Sequence, residues 1–322
     1  MSNLVSLKRR IVSTTSTKKI TSAMKMISVA KLKKSSDSLN HISDYSESIY
    51  QMLLNILKGL DINEIDIGEL DNKTAGYINL LKGVDKEDSV NKKLIIAISP
   101  DKGLCGSLNA NIIKNLNLLI SNLKNDGTEF LIIPFGKKVT DYCKQKFPNN
   151  LVKDSTNFTM KNGGFDSAKV VVDKMIELFQ LTKIDSCHVI YSKFISTIKQ
   201  ESVSTNLIPF NDEFFTKKIS SHKPDQPEIA DIQNSNSSDF EIDGEKSELL
   251  SDVISKALLS IVLSCVKQTE VSEHAARMFA MDNATKNADK AIKSLKLKYN
   301  RGRQTAITTQ ILEIISGVES VS

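Results

Sequence analysis

The sequence predicts an α/β protein. Its N- and C-terminal helices form a long antiparallel two-helix coiled coil, and a central α/β domain with a mostly parallel sheet lies between them. Three observations carry this. Both ends of the chain lack helix breakers: the first Gly is Gly59, the first Pro is Pro100, and after Gly244 only Gly302 and Gly317 remain. Both ends also repeat apolar residues at three-four spacing. Residues 92–210, by contrast, alternate strand-like and helix-like segments.

The first end, 1–60, reads as one helix. Ile20, Ala23, Met24, Ile27 and Ala30 make an apolar stripe, and Ile42, Ile49, Leu53, Ile56 and Leu60 continue a heptad-like seam in which Ser46 fills one position. The run Ser13-Thr14-Thr15-Ser16-Thr17 is weak helix material, so either strain or a packed partner is expected there. The last end, 249–322, holds a strict four-three alternation through Leu258, Val262, Cys265, Thr269, Ser272, Ala276, Phe279 and Asn283. The register slips near Lys286 and resumes at Ile292, Leu295 and Tyr299. The tip is apolar nearly all round, with Ile307, Ile311, Leu312, Ile314, Ile315 and Val318. A helix of about 70 residues is roughly 105 Å long. No compact domain of this size buries that length, so the two ends are expected to wrap around each other. Two ordinary helical bundles are the plainer alternative.

The middle, 92–210, is expected to be a Rossmann-like layer. Leu94–Ile98, Phe130–Ile133, Cys187–Tyr191 and 197–207 read as strands; Gly106–Lys124, Lys137–Phe147 and Phe165–Leu181 read as helices. Residues 61–91 resist assignment and read as a divergent loop or insertion. Residues 211–248 carry an acidic cluster around Asn234-Ser235-Asn236-Ser237-Ser238 and read as a solvated, mobile insertion.

Composition narrows the function classes. Of 322 residues, 40% are hydrophobic and 25% charged, which excludes a disordered chain or a collagen. The longest apolar stretch, Ala257–Val266, is too short to span a bilayer. Cys105, Cys143, Cys187 and Cys265 lie far apart and form no CxxC pair, so reduced thiols are expected. The net charge of +5 is mild, but residues 1–34 are basic and acid-free. That pattern fits a transit peptide, an anionic membrane contact or an acidic protein partner alike.

Catalytic constellations are missing. The turn Pro100-Asp101-Lys102-Gly103-Leu104-Cys105-Gly106 stands where a phosphate loop would. It has no GKS or GKT and no third glycine of a GxGxxG, so it reads as a tight turn needing its two glycines. Cys105 beside Lys102 is a weak candidate thiolate. His41, His188, His222 and His274 lack metal-ligand spacing, and His188 reads as a core residue. No catalytic residue, cofactor or metal site is expected.

Three stretches carry a resemblance: Ser16-Thr17-Lys18-Lys19-Ile20-Thr21-Ser22-Ala23-Met24-Lys25-Met26-Ile27-Ser28-Val29-Ala30-Lys31-Leu32, Asp101 through Asn109, and Ser272-Glu273-His274-Ala275-Ala276-Arg277-Met278-Phe279-Ala280-Met281-Asp282-Asn283-Ala284-Thr285-Lys286-Asn287-Ala288. In order and distance the chain resembles gamma subunits of F-type ATP synthases from residue 4 to about 318, apart from 61–91 and 211–248. It departs from that pattern at Ser99-Pro100-Asp101, at Gln310, where the family usually has an acid, and at Gly317-Val318.

The resemblance implies a central rotor stalk, a non-catalytic subunit of a proton-transporting ATPase. Its partners would be the alpha, beta and epsilon subunits and the membrane rotor c-ring, with no nucleic acid, and with membrane association only through the complex. The place implied is peripheral, on the cytoplasmic side of a bacterial plasma membrane, and the basic N-terminus becomes part of the shaft. Met24, Lys25, Lys31, Lys33, Lys34, Lys102 and Cys105 are then expected to face an acidic loop of beta. Arg303, Gln304 and Thr308 would bond beta higher up, and Ile307, Ile311, Ile314, Ile315 and Val318 would form a bearing tip. A nucleotide-dependent enzyme with helical extensions and a cytosolic coiled-coil scaffold are the rival classes.

Overall fold

The computed structural model describes residues 2–59, 91–155, 157–160, 164–181, 184–209 and 246–319. Most of the divergent segment 61–91 and of the acidic segment 211–248 therefore lies outside the described residues, as do the side chains of Ile56, Leu60 and Val318. The element order is α1 (Ser2–Gly59), β1 (Lys92–Ile98), α2 (Leu108–Asn125), β2 (Glu129–Phe135), α3 (Lys137–Lys146), a single 3-10 turn (Pro148–Asn150), α4 (Phe165–Gln180), β3 (Ser186–Phe194), β4 (Gln200–Ile208) and α5 (Lys246–Glu319). Each segment expected to be strand or helix is one, with ends shifted by a few residues at most. Two compact units emerge: Met1–Leu32 with Leu104–Gly106 and His274–Ser322, and Lys33–Gly103 with Ser107–Glu273.

In the first unit α1 and α5 run antiparallel. Lys18 Nζ lies 2.6 Å from Asp289 Oδ1 and Lys25 Nζ 2.6 Å from Asp282 Oδ1. Between them the Thr285 hydroxyl donates to Thr21 Oγ1 at 2.8 Å. A Cβ at Gly302 would come within 3.1 Å of Leu4 Cδ2, so the helices close tightly there. Numbers rise along one helix as they fall along the other.

The buried face of α1 here is Thr21 and Ser28, seven residues apart. The expected stripe is displaced by one residue. Ile20 and Ile27 are each 57% exposed, Ala23 and Ala30 are exposed, and Met24 is half-buried. Small hydroxyl side chains let the backbones approach, which the larger Ile side chains would prevent, so the apolar stripe turns outward. The Ser/Thr run is accommodated without strain. Thr14, Thr15 and Thr17 hydroxyls donate back to the carbonyls of Arg10, Ile11 and Ser13 at 2.8, 2.7 and 3.1 Å, leaving the helix ladder intact.

The second unit is built on a four-stranded sheet of order β2-β1-β3-β4. β1 pairs in parallel with β2 and β3, and β4 joins β3 as an antiparallel edge hairpin. β1 is buried on both faces, with Leu94 through Ile98 at 0% exposure, as its unbroken apolar run requires. One sheet face, with Leu94, Ile96, Ile98, Phe135, Val189 and Tyr191, packs on Val171, Val172 and Met175 of α4 and on Ile254, Leu258 and Val262 of α5. Ile49 and Leu53 of α1 join this core, as their heptad spacing predicts. α2, buried along Leu108, Ile112, Leu116, Ile120 and Leu123, packs against all four strands.

On α5, Leu258, Val262, Cys265, Thr269 and Ser272 are buried as expected. The slip then comes earlier than Lys286: Ala276 is half-buried, Phe279 is 45% exposed and Asn283 is exposed, while Ala275, Met281, Ala288 and Ile292 are buried. Up to Ser272 the helix is buried on more than one side, so burial there follows the whole core and no single seam.

Candidate partner interface

The turn after β1 is held by its own side chains. Asp101 Oδ1 accepts from the Lys137 N–H and Oδ2 from the Met160 N–H, each at 3.0 Å. Ser99 Oγ accepts from the Val139 N–H at 2.9 Å, and the Pro100 carbonyl takes the Lys138 N–H at 3.4 Å. The first three N–H groups of α3, the donors an anion would use at a helix start, are therefore engaged within the chain. A phosphate at this terminus would have to displace a carboxylate and a hydroxyl already seated there.

The glycine expectation is half right. Gly106 has φ +62 and needs its freedom, while Gly103 has no left-handed backbone and a Cβ there would make only an ordinary contact, 4.0 Å, with Lys138 Cε. The other left-handed residue of this turn is Leu104, with φ 62, and its side chain is 64% exposed. Lys102 is exposed as well, whereas Cys105 is 2% exposed and so does not present its thiol at the surface.

Lys31, Lys33 and Lys34 of α1 are exposed. Lys25 differs from these, because its ammonium is spent on Asp282. Asp282 is shared with Lys286 at 2.7 Å, and Asp289, bound by Lys18, also takes Lys293 at 3.2 Å. Each carboxylate thus sits between a cation of its own helix and one of α1. Hydrogen bonds from Lys25 and then Lys286 hold Asp282 below the usual carboxylate value, and those from Lys18 and then Lys293 do the same for Asp289. Sequence reasoning missed this ladder. Its signal was legible: two lysines seven apart on one helix and two acids seven apart on an antiparallel one.

Toward the end of α5, Arg303, Gln304 and Thr308 are exposed, and the Thr308 hydroxyl donates to the Gln304 carbonyl at 3.0 Å. Ile307, Ile311, Ile314 and Ile315 are 47%, 51%, 67% and 51% exposed. The four cysteines are buried thiols; burial pushes Cys143 up to about 12 and raises Cys187 and Cys265 further. His188, on β3, is half-buried, and burial followed by the Lys93 charge lowers its pKa. Among the described residues no three metal-ligating side chains cluster, and no helix is long and apolar enough to cross a membrane.

This arrangement defines a class: a two-helix coiled coil with charged locks between its helices and exposed basic and apolar side chains. A family model described as ATP synthase matches residues 3–321. The ATP synthase gamma chain of Pelagibacter ubique is 33% identical over 321 residues, all of both chains, and that of Clostridium kluyveri is 34% identical over 99% of this chain and 98% of its own. A chain of the Euglena gracilis mitochondrial ATP synthase, OSCP/F1/c-ring, shares the fold at TM-score 0.60 and 18% identity, covering 99% of this chain and 95% of that one. The chain belongs to the ATP synthase gamma chain family.

Proposed function

We propose that the chain is the central rotating shaft of a proton-translocating F-type ATP synthase and performs no bond-breaking step itself. The observation that carries this is the antiparallel pair of α1 and α5, tied by the Lys–Asp ladder, in a chain of the gamma family. Rotation of a membrane ring turns the shaft, and each angle of the shaft stabilises a different set of beta-subunit conformations by differential contact.

Met24, Lys31, Lys33, Lys34 and Lys102 are the residues we assign to an acidic surface of beta. Exposed charge pairs are individually weak, about 0–1 kcal/mol, which suits contacts that break at every turn. Lys25 is engaged with Asp282 across the two helices, and exposed Leu104 stands beside buried Cys105 on the turn. Arg303, Gln304 and Thr308 bond beta farther along α5. The isoleucines beyond them, with Val318, run in an apolar sleeve where non-directional contact keeps energy nearly flat with angle. The partners are the alpha, beta and epsilon subunits and the c-ring, and the place is peripheral, on the cytoplasmic side of a bacterial plasma membrane.

The test is assembly of the full chain with alpha, beta, epsilon and the membrane sector, read as ATP-driven proton pumping. Pumping that requires this chain is the expected result. Hydrolysis that proceeds equally well without it, or failure to enter the complex, overturns the reading.

A further inference from the structure

We propose that Thr269 and Ser272 of α5, bonded to the backbone of Ser192 on β3, form the joint that transmits torque between the sheet and the C-terminal helix. This rests on the shaft reading above and names the residues that do the gripping within the chain.

The joint arises from a mismatch of strand lengths. β1 pairs with β3 as far as Ala97 and Ile190, but β3 continues to Phe194 with β4 on its other side. In a strand every second residue points its N–H and C=O the same way. Ser192, two residues past Ile190, therefore turns both groups to the side β1 has vacated. Ser192 is 2% exposed, so water cannot serve them, and orphaned buried backbone groups are costly.

α5 fills the gap. The Ser192 N–H donates to Thr269 Oγ1 at 3.2 Å, and the Ser272 hydroxyl donates to the Ser192 carbonyl at 3.1 Å. The Thr269 hydroxyl in turn donates to the Cys265 carbonyl at 2.9 Å, so the strand amide is wired through one hydroxyl to the helix backbone. Thr269 and Ser272 are both fully buried.

Their neighbours Leu258, Val262 and Val266 meet the sheet through apolar contact. Such contact resists separation but has no direction, so it tolerates sliding. Hydrogen bonds have direction and fix the axial position of the helix on the strand. Apolar contact thus holds the helix on the sheet, and the two hydrogen bonds add the directional constraint that opposes slip.

The experiment compares ATP-driven pumping with ATP hydrolysis in assembled complexes carrying the full chain, matched for subunit content. Thr269→Val with Ser272→Ala keeps shape and removes both bonds. Each neutral bond shifts a balance between engaged and slipped helix by about fivefold, so pumping per ATP should fall by up to about 25-fold in the double variant, and about fivefold in Thr269→Val alone, while hydrolysis persists. Thr269→Ser keeps the hydroxyl and should restore the ratio, which a loss of packing alone would not do.

A wild-type ratio in the double variant overturns the proposal, as does an equal loss in Thr269→Ser. Where the double variant fails to assemble, Thr269→Val alone carries the test, and an unchanged ratio there overturns it too. Absence of pumping with the unmutated chain would instead sink the shaft reading itself.

Discussion

Gly136 shows how much one missing side chain does. It sits between β2 and α3 at φ 95, and a Cβ there would lie 1.8 Å from the Ser99 carbonyl oxygen. That contact is what lets Ser99 and Asp101 reach the start of α3. Gly136→Ala should cost about 3 kcal/mol or more, since a backbone clash adds to a strained φ. Gly103→Ala should stay within about 0.5 kcal/mol, since its Cβ would meet only the flexible Lys138 side chain at 4.0 Å. Denaturant unfolding of the two variants checks the contrast, and equal effects would refute it. Asp282 and Asp289 belong to the same scale. Their folded values are lowered by lysine hydrogen bonds, so their contribution is complete above the ordinary Asp value of about 3.9 and is lost as pH falls through the lower, folded values. Above about pH 4, Asp282→Asn with Asp289→Asn should melt below wild type. The gap should narrow as the solution is acidified below the ordinary Asp value, and a gap that widens on acidification would be the wrong sign.

At the scale of elements, α1 shows periodicity and burial parting company. Its lower half keeps an apolar seam, with Leu39, Ile49 and Leu53 buried. Nearer its start the seam is Thr21 and Ser28, while the apolar stripe of Ile20 and Ile27 faces outward. A helix pair that closes on small hydroxyl side chains leaves little room at these positions for a residue as large as Leu or Ile. Ser28, 2% exposed, should therefore tolerate Ala and reject Leu. Ser28→Leu is expected to cost about 1–3 kcal/mol by overpacking, with Ser28→Ala close to wild type in thermal melting. If Leu proves neutral there, the helices are not closely packed at this position.

For the whole molecule, the decisive question is where the shaft is gripped and where it is merely guided. A guanidinium makes directional, charge-assisted bonds of about 1.5–3 kcal/mol to a charged partner. Arg303 is exposed on α5, so Arg303→Ala leaves the helix intact, Ala being the better helix former. We expect it to lower hydrolysis and pumping together in complexes matched for subunit content. Ile314→Ala, in the guided part, should change neither by more than about twofold, because the three carbons removed make only non-directional contact that slides at every turn. A silent Arg303→Ala beside a pumping-deficient Ile314→Ala would reverse the division.

By itself the amino-acid order determined the two long helices, the alternation of strands and helices between them, the antiparallel pairing and the family. These depend on local propensities and on repeats that neighbours in sequence carry together: no glycine before Gly59, an unbroken Leu94–Ile98, the run from Ser272 to Ala288. Tertiary structure alone decided which face of α1 is inside, where α5 changes register, and which side chains bond across elements. Asp101 on the starts of other segments, Lys25 on Asp282 and Thr269 on Ser192 join residues 36 to 257 positions apart. One-dimensional periodicity reports that a stripe is apolar. Whether the stripe is buried depends on how closely the second helix comes, and that distance is set by the small hydroxyl side chains at the contact.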